Sequence, residues 1–178
     1  MGQRPVWDFF QTVRHRHSVR RYQSDMPVEE EKLHAILEMA SAAPSAGDLQ
    51  AYRIMVVRDQ AMRDALGGAA EQQQFISEAP VCLVFCADAP RSAQRFGDRG
   101  ERLYAVQDAT IAAAYAQLAV VAAGMGSTWV GYFDAQRIRD LLALDPSLTP
   151  VAMLSIGYPA ELPEDTDRRH LDEIVEYR

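Results

Sequence analysis

The run Pro80-Val-Cys-Leu-Val-Phe-Cys-Ala87 is the strongest constraint on what this chain can fold into. Side chains of a strand alternate between its two faces, and here odd and even positions are equally apolar. A strand at residues 81–87 therefore has no side to give to water and must be covered on both. That requirement predicts a layered fold with this strand inside its sheet.

The rest of the chain supplies partners for it. Further strands are predicted at residues 53–58, 128–133 and 151–157. Apolar residues at helical spacing predict a first helix over residues 6–14, carrying Val6, Phe9, Phe10 and Val13. A second begins near Pro27, where proline suits the first helical position. Glu29, Glu30 and Glu31 complement its positive dipole end, and Leu33, Ile36, Leu37 and Ala40 form its buried stripe. A short helix over 60–66 is expected to stop at Gly67-Gly68. The longest runs over 102–123, ends at Gly124 and Gly126, and is followed by another over 135–142. Residues 89–100 are polar and charged and read as a mobile stretch. Strands and helices alternate irregularly, and one short helix hairpin opens the chain. The expected fold class is therefore α+β, not a regular doubly wound sheet. No linker divides the 178 residues, so a single domain over 1–178 is expected, with 159–178 as a charged tail that wraps over another surface.

The formal net charge of −7 argues against nucleic-acid or anionic-membrane partners, both of which need a positive surface. Asp108, Gln107 and Gln117 interrupt the long helix, so it reads as a core helix and not a membrane span. Cys82 and Cys86 are the only cysteines and read as buried reduced thiols. The start of the chain lacks a signal-peptide apolar core, and Val6 stands where a myristoylation motif needs Ser or Thr. A cytoplasmic location is the default expectation.

No set of catalytic side chains stands out. His15, His17, His34 and His170 have no metal-ligand spacing, and no metal site is expected. There is no nucleophile elbow, no phosphate-binding Walker loop and no Gly-x-Gly-x-x-Gly after a strand. Any demanding chemistry then falls to a cofactor. Arg14, Arg16, His17, Arg20 and Arg21 crowd with Ser18 between two predicted helices. Guanidinium forks and a hydroxyl suit a phosphate monoester. A solvated basic turn is the other reading of the same residues.

Arg16-His17-Ser18-Val19-Arg20-Arg21-Tyr22 resembles the opening motif of the FMN-dependent nitroreductase family. Three more stretches match in order: Ala43-Pro-Ser-Ala-Gly-Asp-Leu-Gln-Ala-Tyr-Arg53; the long helix from Asp108 with Trp129-Val-Gly-Tyr-Phe-Asp134; and Leu154-Ser-Ile-Gly-Tyr-Pro159 with Arg168-Arg-His-Leu-Asp-Glu-Ile-Val175. The resemblance spans nearly the whole chain. It implies a layered α+β fold with a central, mostly antiparallel sheet flanked by helices. It also implies a homodimer with FMN at the subunit interface, NADH or NADPH as electron donor, and a nitro compound, quinone or similar small molecule as acceptor. Donor and acceptor would use the same flavin face in turn.

Residue by residue, the resemblance implies that Arg16, His17, Ser18 and Arg20 hold the phosphate, ribityl chain and pyrimidine edge. Pro44, Ser45 and Ala46 would approach from the partner subunit, and Asp48 in the same loop is a further cofactor-binding candidate. Gln72 and Gln73 stand where the family often has Asn and Gln. Trp129, Val130 and Gly131 would line the ring, and Arg168 would return from the tail to the phosphate. No side chain is expected to act as the catalytic group, since the flavin carries the chemistry. Asp48 replaces the family's usual Asn, either ion-paired or solvated. Ala51-Tyr52 replaces Pro-Trp, and Thr166 stands where some members have Lys. Phe96 and Tyr104 read as either substrate-selecting or core residues. Asp108, alone in an apolar helix, is expected to be structural, bonded to an arginine or a loop amide, with a catalytic role as the other reading. The competing functional reading is an FMN-binding redox sensor or storage protein without turnover. A dehalogenating or flavin-fragmenting specialisation lacks a supporting lid sequence at this length.

Overall fold

A computed structural model describes residues 8–161, 163, 164 and 166–178, so Val6 of the expected first helix lies outside the described residues. Helix α1 (Phe9–Arg14) starts at Asp8, whose side chain accepts from the Gln11 amide in a capping box. Helix α2 (Glu30–Ser41) buries Leu33, Ile36 and Ala40 as its periodicity predicts. The strands are β1 (Tyr52–Val57), β2 (Val81–Asp88), β3 (Gly126–Val130) and β4 (Leu148–Gly157). They form one sheet in the order β1-β2-β4-β3, every neighbour antiparallel. The layered α+β expectation holds.

Strand β2 is buried throughout until Asp88. Its Leu83 and Phe85, with Leu154 and Ile156 of β4, pack against α2 and α6 (Ala105–Ala122). Its Cys82, Val84 and Cys86, with Met153, face α3 (Gln60–Ala69) and α7 (Ala135–Leu141). Each buried Phe, Leu or Ile contributes about 1.5–3 kcal/mol, so both faces are needed to hold the layers together. Burial pushes the Cys82 thiol up to about 12 and Cys86 up to about 11, which keeps both inert as nucleophiles.

Three expectations need correction. The glycines at 67 and 68 do not end α3, which continues to Ala69. Gly67 lets α3 approach the following turn, since a Cβ there would lie 3.2 Å from the Gln73 carbonyl oxygen. A short helix, α4 (Phe75–Glu78), follows that turn. Strand β4 begins at Leu148, before Pro150. A register shift between Phe85 and Cys86 of β2 leaves an extra residue in β4 there, and proline is tolerated at such a bulge. Finally, the stretch expected to be mobile is helix α5 (Ala89–Arg99), capped by Asp88 with proline in its first turn. It passes through a π-turn, Gly100–Tyr104, into α6.

The combined helical run Ala89–Ala122 is long and apolar enough to cross a membrane, but 50% of its apolar stretch is buried in the fold. Helix α6 lies on β2 and β4 as a core helix.

The start of α2 is clipped to the end of β4. The Tyr158 hydroxyl donates to Glu29 at 2.7 Å, and Lys32, the sole lysine, donates to both Glu29 and Tyr158. The Tyr158 hydrogen bond, with smaller help from the backbone and Lys32, holds the Glu29 carboxyl down at about 2, against an ordinary value of 4.5. A depressed folded-state value means that this clip stabilises fully above about 4.5. Its contribution is lost as pH falls from there towards 2. In Tyr158→Phe, NMR titration should find the Glu29 carboxyl moved up towards its ordinary range. An unchanged Glu29 titration would remove the hydroxyl as the cause.

Candidate functional site

The basic segment is extended backbone laid against the sheet, not a turn. Ser18 forms a parallel bridge with Ser127 of β3, the Val19 amide donates to the Ser127 carbonyl at 3.0 Å, and Thr128 Oγ1 donates to the Val19 carbonyl. Further on, Tyr22 bridges Pro159, and the Ala160 amide donates to the Arg21 carbonyl at 2.9 Å. Val19 and Tyr22 are buried and anchor the segment. Gly126 permits that closeness, because a Cβ there would lie 2.4 Å from Val19 Cγ2. Extended backbone places alternate side chains together, so Arg16, Ser18 and Arg20 share a side. Arg21 leaves it to pair with Glu78 at 3.6 Å.

Opposite this side runs the chain that follows β4. Between the two lies a cavity of about 630 Å³ lined by Arg16, His17, Ser18 and Arg20 on one wall and by Glu161, Pro163, Glu164, Thr166 and Arg168 on the other. Its size suits a small-molecule or cofactor site. Four neighbouring residues and Arg168, some 150 positions away, thus line one cavity. Among the described residues no carboxylate pairs with Arg16, Arg20 or Arg168. Arg168 is steadied by the Thr166 carbonyl at 3.0 Å and the Thr166 hydroxyl. Three guanidinium forks, an imidazole and hydroxyls form a donor set that fits a phosphate monoester. Glu161, Pro163 and Glu164 were not anticipated. Their only sequence signal is their place just after β4.

The other expected residues lie elsewhere. Trp129 and Val130 end β3, the strand against which the basic segment lies, and exposed Gly131 follows. Trp129 is half-buried and packs against the α2–α6 side of the core. Gln72 and Gln73 occupy the turn after α3, with Gln72 exposed at φ +60°. A smaller cavity of about 370 Å³, lined in part by Gly68, Glu71, Tyr132 and Arg137, separates that turn from the chain just past Gly131.

Pro44, Ser45, Ala46 and Asp48 precede β1, at the opposite edge of the sheet from β3. Three inter-strand spacings separate these edges, roughly 14 Å. The loop therefore does not join the cavity within one chain. Asp48 is exposed at φ +56° and has no ion-pair partner among the described residues. The loop itself is held by Asp108, which is 2% exposed. Its Oδ1 accepts from the Ala46 amide at 2.9 Å and its Oδ2 from the Ala51 amide at 3.3 Å. This is the loop-amide role expected of it.

Comparison with known proteins follows the same lines. The model of the Nitroreductase family matches residues 13–77 and 67–158. An NADH dehydrogenase of Thermus thermophilus is 35% identical, the match covering 98% of each chain. An FMN reductase [NAD(P)H] of Bacillus subtilis is 31% identical over 81% of this chain and 63% of its own length. Among solved structures, the NADPH:FMN oxidoreductase of Vibrio harveyi complexed with NAD+ superposes with a TM-score of 0.86 at 26% identity, covering 94% of this chain and 76% of that one.

Proposed function

Because the chain belongs to the nitroreductase family, we propose that it is an FMN-dependent NAD(P)H oxidoreductase that reduces nitro compounds, quinones or similar small acceptors. The observation that carries this reading is the meeting of Arg16, His17, Ser18, Arg20 and Arg168 around one cavity. FMN, when bound, supplies the redox chemistry.

The chain's own residues bind and orient it. Arg16, Arg20 and Arg168 hold the phosphate, and His17 and Ser18 reach the ribityl chain and pyrimidine edge. Trp129, Val130 and Gly131 run along the ring with Gln72 and Gln73 nearby. Pro44, Ser45, Ala46 and Asp48 close the site from a second copy of the chain. The sheet order supports that division, since it keeps this loop at the far edge from the cavity of its own subunit.

A homodimer has further support in the exposed apolar side chains of Phe9, Phe10, Val13, Met39 and Tyr115. Phe9, Met39 and Tyr115 border an apolar groove of about 400 Å³ where α1, α2 and α6 meet. Apolar surface gathered in this way marks an interaction site. Each subunit is one domain over residues 1–178, and the exposed Leu171, Ile174 and Val175 of the 159–178 tail suit packing on the partner. Two buried free thiols fit a cytoplasmic location.

The purified protein should be yellow, or take up added FMN, and anaerobic NADH or NADPH should bleach the flavin band in stopped flow. A protein that stays colourless with added FMN would defeat the cofactor assignment. A loaded flavin that neither nucleotide bleaches would favour storage or sensing.

A further inference from the structure

Helix α5 holds a second concentration of positive charge, away from the cavity. Arg91, Arg95 and Arg99 are exposed, yet each is fixed in place. Arg91 Nε donates to the Leu49 carbonyl, Arg95 Nη1 donates to the Gly47 carbonyl at 3.0 Å, and Arg99 Nε donates to the Tyr104 hydroxyl at 3.0 Å. None of them pairs with a carboxylate among the described residues. Carbonyls and a phenol orient these guanidiniums without neutralising them, in a chain whose net charge is −7.

Two backbone irregularities add an aromatic floor. Gly97 breaks the helix at φ +56°, and the π-turn follows. Gly100 comes so close to α5 that a Cβ would lie 2.5 Å from the Ser92 carbonyl oxygen. Phe96 and Tyr104 then meet edge to face, with ring centroids 5.2 Å apart. The Arg95 guanidinium stands 5.4 Å from the Phe96 ring and that of Arg99 5.5 Å from the Tyr104 ring, both within cation–π range.

We propose that this cluster binds the phosphate that distinguishes NADPH from NADH, making NADPH the preferred electron donor. The inference rests on the proposed function, because Gly47 and Leu49 belong to the loop assigned to the partner's flavin site. Helix α5, tied to that loop through Arg91 and Arg95, would then lie beside that site. A single carboxylate is satisfied by one bidentate arginine, whereas the unneutralised guanidiniums of Arg95 and Arg99, beside the paired Phe96 and Tyr104 rings, suit a dianionic phosphate with three acceptor oxygens. The Phe96 and Tyr104 rings also offer a stacking platform for a base such as adenine.

The test uses adenosine 2′,5′-bisphosphate and adenosine 5′-monophosphate, which differ by that phosphate alone, titrated by calorimetry into FMN-loaded protein at fixed ionic strength. The bisphosphate should bind at least about tenfold tighter, the worth of one charged hydrogen bond. Arg95→Gln and Arg99→Gln should each remove about tenfold of bisphosphate affinity while changing the monophosphate by less than about twofold. Arg99 touches Tyr104 and not the loop, so its variant stays informative if Arg95→Gln disturbs the loop. The NADPH-to-NADH ratio of kcat/KM should fall by the same factor.

Equal affinity for the two nucleotides, or variants that weaken both alike, would overturn the proposal. So would variants that lose selectivity for nitrobenzoate over nitrobenzene while keeping the NADPH preference, since the anion would then be the acceptor's. Arginine-dependent bisphosphate binding to a flavin that neither nucleotide bleaches would keep the cluster and defeat the oxidoreductase reading.

Discussion

Replacing Asp108 by alanine is expected to destabilise the protein by about 3 kcal/mol, which is large for a single side chain that pairs with no cation among the described residues. The carboxyl group is buried in α6 and accepts from the Ala46 and Ala51 amides, which bracket the loop before β1. A hydrogen bond to a charged group is worth about 1.5–3 kcal/mol, and two are lost together. The residue at 51 is itself fully buried, so water cannot readily replace the carboxyl at that amide. Asp108→Asn keeps one acceptor oxygen and turns an NH2 towards the second amide, so it should cost about half as much. Urea midpoints give the energies, and hydrogen exchange at Ala46 and Ala51 tells whether the loop is the part released. Alanine and asparagine variants both within about 0.5 kcal/mol of the parent would show that Asp108 does not hold the loop.

The same residue shows how far the sequence can be read. A carboxylate among alanines in a long apolar helix must find donors, so its structural role was legible; which donors was not, because the loop lies 57 to 62 positions away. The unbroken apolar run at 80–87 likewise announced a strand covered on both faces. Helix α5 was hidden for a physical reason. Its arginines pack on loop carbonyls and aromatic rings, so no apolar stripe marks it, and Gly97 and Gly100 read as loop signals. The glycines at 67 and 68 misled in the same way, because they serve close packing inside α3 and not its termination. The basic segment was found by composition, but what makes its side chains converge is pairing with β3, a contact no local pattern encodes.

That pairing makes the second large prediction sharper than the motif alone allows. Arg20 and Arg21 are adjacent and both exposed. Extended backbone sends them apart: Arg20 lines the cavity and Arg21 reaches Glu78. Arg20→Ala should weaken FMN binding by about 1.5–3 kcal/mol, roughly 10- to 150-fold in dissociation constant. Arg168→Ala, on the opposite wall, should fall in the same range. The double variant should lose less than the sum, because both guanidiniums would grip one phosphate and are coupled through it. Arg21→Ala should change FMN affinity by less than about twofold, since an exposed ion pair contributes little and points away from the cavity. Flavin fluorescence titration of the apoprotein measures all four. If Arg21→Ala cost as much as Arg20→Ala, the effect would be general charge attraction and not a built phosphate site. If Arg20 and Arg168 behaved as strictly additive, they would not share one ligand, and the cavity between them would need a different occupant.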